Sequence, residues 1–465
     1  MALPPVAHAA PCTDFRRTWR TSRRALLQAG AVSWLGLSLP RLLAAQQQAG
    51  GTGKAKRCIL LFMWGGPSQL DTFDMKPHAP AEIRGDFQGI DTSVPGLRIC
   101  EHFQRMVPLM DRVALVRSLT HNDPAHLSSA HATLTGHRAP VLFSDADPPS
   151  SKDTPHLGSV MAKLRPASSA LPSFVTLPWL AYHPAAPGGQ APGQHGGWLG
   201  KQYDPMLLSG DPNAEQWGVP ELQLRDGVDL GRLEQRKSLL NHLAQERDRF
   251  TANATAANMD GLRAKACELL LSSRTHEAFD LSQETAATRD RYGRNTHGQC
   301  VLLARRLVEQ GVPLVNVNWH DDGRSFWDTH GNNFNRLKDD LIPPADQALA
   351  ALLTDLEERG MLEDTIVAWV GEFGRRPQIT AGNAGREHWP FCYVGLLAGG
   401  GIRGGAIYGE SDNRAAYPAR DPVTPQDFAA TIYQALGVPA DLTLPDQLGR
   451  PLRVCEGTPI GSLFS

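Results

Sequence analysis

Seven cysteines in 465 residues, none in a CxxC pair, leave this chain without the spacing of a zinc ribbon or a redox dithiol. Its body has no run of lysine or arginine, so it lacks the electrostatic footprint of a nucleic-acid-binding protein. Beyond residue 45 no segment is apolar enough to cross a bilayer, and no repeat of fixed period recurs. What remains is a globular protein, since 41% hydrophobic residues can bury a full core in one large domain or two smaller ones.

The first 45 residues read as a leader. Arg16, Arg17, Arg20, Arg23 and Arg24 precede an apolar run over 25–43 that ends at Ala44-Ala45, the basic, apolar, small-residue order of an export signal. The stretch from Thr21 through Arg23-Arg24 to Leu27 resembles a twin-arginine signal, which predicts a periplasmic or extracellular protein with no stable membrane span once the signal is removed. An uncleaved anchor is the weaker alternative, because Ser33, glycines and Pro40 interrupt the run. The leader's six arginines and one aspartate take the net charge from −2 to −7 for the rest. Residues 46–55 read as a linker and 56–465 as one domain, with a helical insertion about 205–295. Cys58, Cys100, Cys267, Cys300, Cys392 and Cys455 are widely scattered, and pairing among some of them in an oxidising compartment stays open.

Short apolar runs that stop at turn residues predict buried strands over 58–63, 113–116, 174–177, 314–319, 365–370 and 393–397. Between them, apolar residues at spacings of three and four predict helices over 301–310 and 345–359, each followed by a glycine, Gly311 and Gly360. Thr424 as N-cap with Pro425 behind it predicts another helix. This alternation predicts an α/β fold with a doubly wound, largely parallel sheet and helices on both faces. The Gly/Pro-rich residues 183–200 are either a binding loop or a surface excursion, and polar helices are expected over 232–249 and 259–271.

Three motifs follow the late strands: Trp327-Asp328-Thr329-His330, Gly371-Glu372-Phe373-Gly374-Arg375 and Gly385-Arg386-Glu387-His388-Trp389-Pro390. Parallel strands deliver their carboxyl ends to one crevice, so Asp328, His330, Glu372 and His388 are candidate ligands of a divalent ion, with His320, Asp321 and Asp322 in the same loop as the first pair. Arg375 and Arg386 would flank that crevice, where guanidinium forks suit phosphate, sulfate or carboxylate. Earlier, Asp123 as N-cap and Pro124 at the first turn would open a helix bearing His126, with Ser129 on the same face and His131 turned about 140° away by the helical period. A neutral imidazole there can bind a metal or attack an electrophile.

The segments LFMWGGPSQLDTFDMKP, HATLTGHRAP, RYGRNTHGQCVLLARRLVEQGVPLVNV, FWDTHGNNF, GEFGRRP, GREHWP and DPVTPQDFAATIYQALG together resemble the DUF1501 family over nearly the whole chain after the leader. The resemblance implies an alkaline phosphatase-like core, shared with sulfatases, phosphatases and phosphoglycerate mutases, and it implies no assigned activity. In sulfatases and alkaline phosphatases a nucleophile precedes a Thr-Gly pair; counting back from Thr135-Gly136 lands on His126, where serine, threonine or cysteine would stand. A metal-binding Asp-His pair is matched here by Glu372-Phe373, and the usual first-strand aspartate by Gly65 or Gly66, with Asp71 and Asp74 several residues downstream. The resemblance thus implies one ion, zinc, manganese or calcium, held by Asp328, His330 and His388, and a second site only if Asp71 and Glu372 supply it. His126 is then a nucleophile or a ligand, and Arg375 and Arg386 stabilise the oxyanion. The expected substrate is a small-molecule or polysaccharide anionic ester; a non-catalytic binder of such anions is the alternative.

Overall fold

An unbroken apolar run from Cys58 to Phe62 forms a strand with no exposed face, β1 (Arg57–Phe62). Neighbours along a strand point to opposite sides of a sheet, and both Leu60 and Leu61 are buried, so layers cover this sheet on each side. The computed structural model describes residues 53–464 apart from 168–169, 184, 186–188, 220–221, 223–226, 251–262, 265, 320–326 and 440. The leader, His320, Asp321, Asp322 and much of the helix expected over 259–271 therefore lie outside the described residues.

The other strands are β2 (Val113–Leu119), β3 (Phe174–Leu177), β4 (Met206–Leu207), β5 (Leu314–Asn318), β6 (Thr365–Val370), β7 (Tyr393–Ala398) and β8 (Ile407–Tyr408). They form one eight-stranded sheet in the order β8-β2-β7-β6-β1-β5-β3-β4. β1 pairs in parallel with β5 and β6, Phe62 lying opposite Asn318 on one side and Val370 on the other. β7 alone runs antiparallel, against β2 and β6. The carboxyl ends of β1, β2, β5 and β6 consequently share one edge, and the motifs begin there.

The longer helices are α1 (His126–Thr135), α2 (Leu157–Leu164), α3 (Leu230–Phe250), α4 (Thr296–Glu309), α5 (Ile342–Glu358) and α6 (Pro425–Ala435). α4 packs on α5, and α1 packs on α6. Thr424 accepts from Asp427 N while the Asp427 carboxylate accepts from Thr424 N, a full capping box for α6. The six cysteines of the described region are all unpaired. No helix among the described residues is long and apolar enough to cross a membrane.

One helix start differs from expectation. α1 begins at His126 with Ala125 as its cap, not at Asp123. The Asp123 carboxylate is taken by a turn of its own, accepting from Ala125 N at 3.1 Å and from Phe143 N at 3.0 Å, which leaves no oxygen for the helix.

Candidate metal centre

The loop after β5 brings Asp328 beneath the carboxyl end of β1, where Trp327 N donates to Trp64 O at 3.3 Å. Glu372 leaves the end of β6. A two-residue ribbon, Gly374–Arg375 paired antiparallel with His388–Trp389, then sets His388 directly opposite Arg375. Backbone bonds tie the three motifs together: Arg386 N donates to Thr329 O at 3.0 Å and Arg376 N to Glu387 O at 2.7 Å.

The Asp328 carboxylate is the hub. Its Oδ1 lies 3.0 Å from His330 Nε2 and 3.1 Å from His388 Nε2, and its Oδ2 lies 3.5 Å from His126 Nε2. The two imidazole nitrogens of His330 and His388 face each other at 2.9 Å. Donor atoms of His126, Asp328 and His388 all fall within 4.8 Å of one another. Ligands about 2.0–2.1 Å from a tetrahedral ion stand roughly 3.3 Å apart, so this spacing and this nitrogen and oxygen donor set fit a zinc-class divalent ion.

Behind each imidazole stands an orienting acceptor. His126 Nδ1 meets Glu372 Oε1 at 2.6 Å, His388 Nδ1 meets Pro124 O at 2.8 Å, and His330 Nδ1 meets the Glu387 carboxylate. These bonds place the proton on Nδ1 and turn the Nε2 lone pair inward, the tautomer a ligand needs. Trp64, at 6.1 Å between ring centroids, and Phe373, at 4.9 Å, pack on the His126 ring. Phe373 also lies 4.6 Å from the His388 ring, so it wedges the two imidazoles in place without ligating anything.

The electrostatics call for a positive charge. Burial alone would lower the His126 pKa, yet hydrogen bonds with Asp328 and Glu372 hold it up at about 9. Burial would likewise raise Asp328, but the Arg375 charge and the His126, His330 and His388 hydrogen bonds outweigh it and keep the carboxyl far below its usual range. His388 is pushed down by burial, and the bond to Asp328 raises His330. His126 thus lies between two acidic side chains, Asp328 and Glu372. Glu372 Oε2 adds a second sign, being buried with no hydrogen-bond partner.

The remaining sequence candidates fall elsewhere. Arg375 is wholly buried and spent on the protein itself: Nε donates to Gly66 O at 3.0 Å, Nη1 to Arg386 O at 3.2 Å, and Nη2 to Gly65 O and Asp328. Arg386 was expected on the rim of an anion site and Asp71 on a second ion; they pair with each other instead, Nε to Oδ2 at 2.7 Å and Nη2 to Oδ1 at 3.0 Å, both fully buried. Ser68 and Asn333 complete the shell of Asp71. The backbone at the end of β1 is closely packed: a Cβ on Gly65 would sit 2.4 Å from Asp328 N and one on Gly66 2.6 Å from the Phe373 ring. Ser129 Oγ is bonded back to Ala125 O and His126 O, Ser128 Oγ accepts from Ser144 N, and His131 faces His137 O, so none of the three presents itself at the centre.

Three contributors escaped the sequence reading. Glu387 sits inside the third motif and could have been named from its place beside His388. His121, whose Nε2 lies 2.8 Å from Glu372 O, precedes the segment that opens α1, and His183, with its ring 6.2 Å from that of His126, opens the Gly/Pro-rich loop 183–200; neither was singled out as a site residue.

The family profile described as "Protein of unknown function (DUF1501)" matches residues 55–464. No curated protein matches the sequence. Solved structures similar to the chain include a sulfatase from Pseudoalteromonas sp., at 12% identity over 91% of this chain and 75% of that one with a TM-score of 0.38. A phosphonate monoester hydrolase from Silicibacter pomeroyi shares 13% identity over 88% and 76%, TM-score 0.34. An alkaline phosphatase from the Antarctic bacterium TAB5 shares 11% over 82% and 98%, TM-score 0.36. Likenesses at this distance assign no activity.

Proposed function

Because the chain belongs to the DUF1501 family, whose description carries no activity, we propose from its own residues that it is an exported, metal-dependent hydrolase of phosphate or sulfate esters. The observation that carries this reading is the convergence of His126, Asp328 and His388 on one point, each imidazole oriented by an acceptor behind it. Three protein ligands leave a position free for water or substrate, the arrangement of a catalytic rather than a structural ion. When bound there, a zinc-class or manganese ion supplies Lewis-acid polarisation of a phosphoryl or sulfuryl oxygen.

The chain's own groups then divide the work. Glu372 fixes the His126 tautomer, and Arg375 offsets the charge of Asp328. His330 has 43% of its side chain exposed and is backed by Glu387, so it is placed to pass a proton between solvent and the reacting ester. The substrate class is a small-molecule or polysaccharide ester bearing an anionic group.

A second reading is supported by the two arginines. Neither Arg375 nor Arg386 is free to clamp an oxyanion, and Ser128 and Ser129 of α1 make their hydroxyl bonds away from the centre. A protein that binds metal and anionic glycan without turnover would have this centre. The deciding experiment is elemental analysis of the full chain, followed by aryl phosphate, phosphodiester and aryl sulfate substrates with and without added metal. Turnover that disappears in His126→Ala and Asp328→Ala supports the hydrolase. Bound metal without turnover on any substrate supports the binder, and absence of metal sinks both.

A further inference from the structure

Away from the imidazole centre lies a cleft of 240 Å³ between the loop after β1 and the hairpin formed by Gly89–Asp91 and Arg98–Cys100. Every charged residue lining it is cationic: Lys76, Arg84, Arg98 and Arg117. Its floor is apolar, with Phe73, Phe87 and Leu97 all buried. A positive field over a low-dielectric floor is stronger than the same charges in open water.

The local carboxylates leave that charge incompletely answered. Asp74, just outside the lining, is 2.9 Å from Lys76 Nζ and 3.6 Å from Arg117 Nη1, so one acid serves two cations. Its other oxygen is taken by Ser411. Arg98 Nη2 donates to Gly89 O, and its Nε stands 3.5 Å from Asp91, a loose pair with 52% and 86% of the side chains exposed. Arg117 Nε is sealed from solvent with no hydrogen-bond partner. Arg84 ends the short helix Ala81–Arg84 and is exposed; none of the described residues bonds its guanidinium. An unpaired buried donor is destabilising, and guanidinium groups satisfy sulfate and phosphate oxygens in pairs.

We propose that this cleft is an anion-binding site, separate from the metal centre, that takes a sulfate or phosphate ester group together with the small ring carrying it. The volume suits one such unit, being below the roughly 300–1,000 Å³ of sites that enclose drug-sized ligands. The helix beneath Arg84 is tied to the centre: Ile83 O accepts from Arg386 Nη2 at 2.8 Å, Arg386 O accepts from Arg375, and Arg375 bonds Asp328. A polymer bearing several anionic groups is therefore offered two separate points of attachment joined by a chain of hydrogen bonds.

The test is calorimetric titration of the full chain with inorganic sulfate at low ionic strength, beside crystals soaked in selenate to locate the oxyanion by its anomalous signal. Selenate is expected in the cleft, and sulfate affinity is expected to fall by about tenfold or more in Arg84→Ala and in Arg98→Ala. Both residues are exposed, so the fold survives their loss. Asp328→Ala is expected to keep the cleft's sulfate binding. Unchanged affinity in the combined Arg84→Ala, Arg98→Ala variant, or loss of all sulfate binding in Asp328→Ala, overturns the proposal.

Discussion

Glu372 acts on the centre through His126 rather than by direct contact with the ion's other ligands. Its Oε1 accepts from Gly65 N at 2.8 Å as well as from the imidazole, so a glutamine keeps both bonds and removes only the charge. Glu372→Gln should lower metal affinity by about 10–100-fold while the urea midpoint moves little, because the carboxylate acts by orienting the His126 imidazole. Competition against a chromophoric chelator measures the first and denaturation the second; equal affinity in both proteins would remove Glu372 from the centre. Residue types at this scale were readable from the motifs, and Asp328, His388 and His126 do meet. The allocation of the arginines was not readable. Arg375 turns inward to donate to the Gly65 and Gly66 carbonyls, and Arg386 finds Asp71 across more than half the chain, a pairing that no local spacing announces.

Among the elements, strands buried on both faces were legible because burial on both sides writes a continuous apolar run, as in β1, β3 and β6. The two-residue edge strands β4 and β8 were not, since so short a segment has no periodicity. α2 shows how an element's cap can set a pH response. His156 is its N-cap, accepting from Gly158 N at 2.9 Å and stacking 4.6 Å from the Phe174 ring. Burial lowers its pKa from 6.5 to about 3, and burial lowers that of His131 on α1 to about 4. Below pH 6.5 the unfolded chain takes up protons that these folded imidazoles refuse, so the stability they contribute is full above 6.5 and is lost as the pH falls. Each contributes up to about 1.4 kcal/mol per pH unit in that window. His156→Asn retains an oxygen to cap Gly158 N but does not titrate. Urea denaturation from about pH 6 to 4.5 should show its slope reduced by about one proton; an unchanged slope would mean His156 is already charged in the native state.

For the whole molecule, the Asp71–Arg386 pair is a clamp between the loop after β1 and the third motif, with both side chains fully buried. Removing one partner strands the other, so Arg386→Met should cost about 3–5 kcal/mol in urea denaturation. If Arg386 instead met the substrate, that variant would raise KM and leave stability alone. The sheet order carries a consequence for biosynthesis. β1 leaves the ribosome well before either of its partners, β5 and β6, which are encoded beyond residue 310. Until they emerge, a flat apolar strand with two unpaired edges must be kept from aggregating. The residues that gather at the candidate centre are spread from position 126 to 388, so any ion it takes can be held only once residue 388 has been made. Nascent chains arrested before β6 should stay protease-sensitive and metal-free, and the cell's burden with this protein is therefore a chaperone's task during most of its translation.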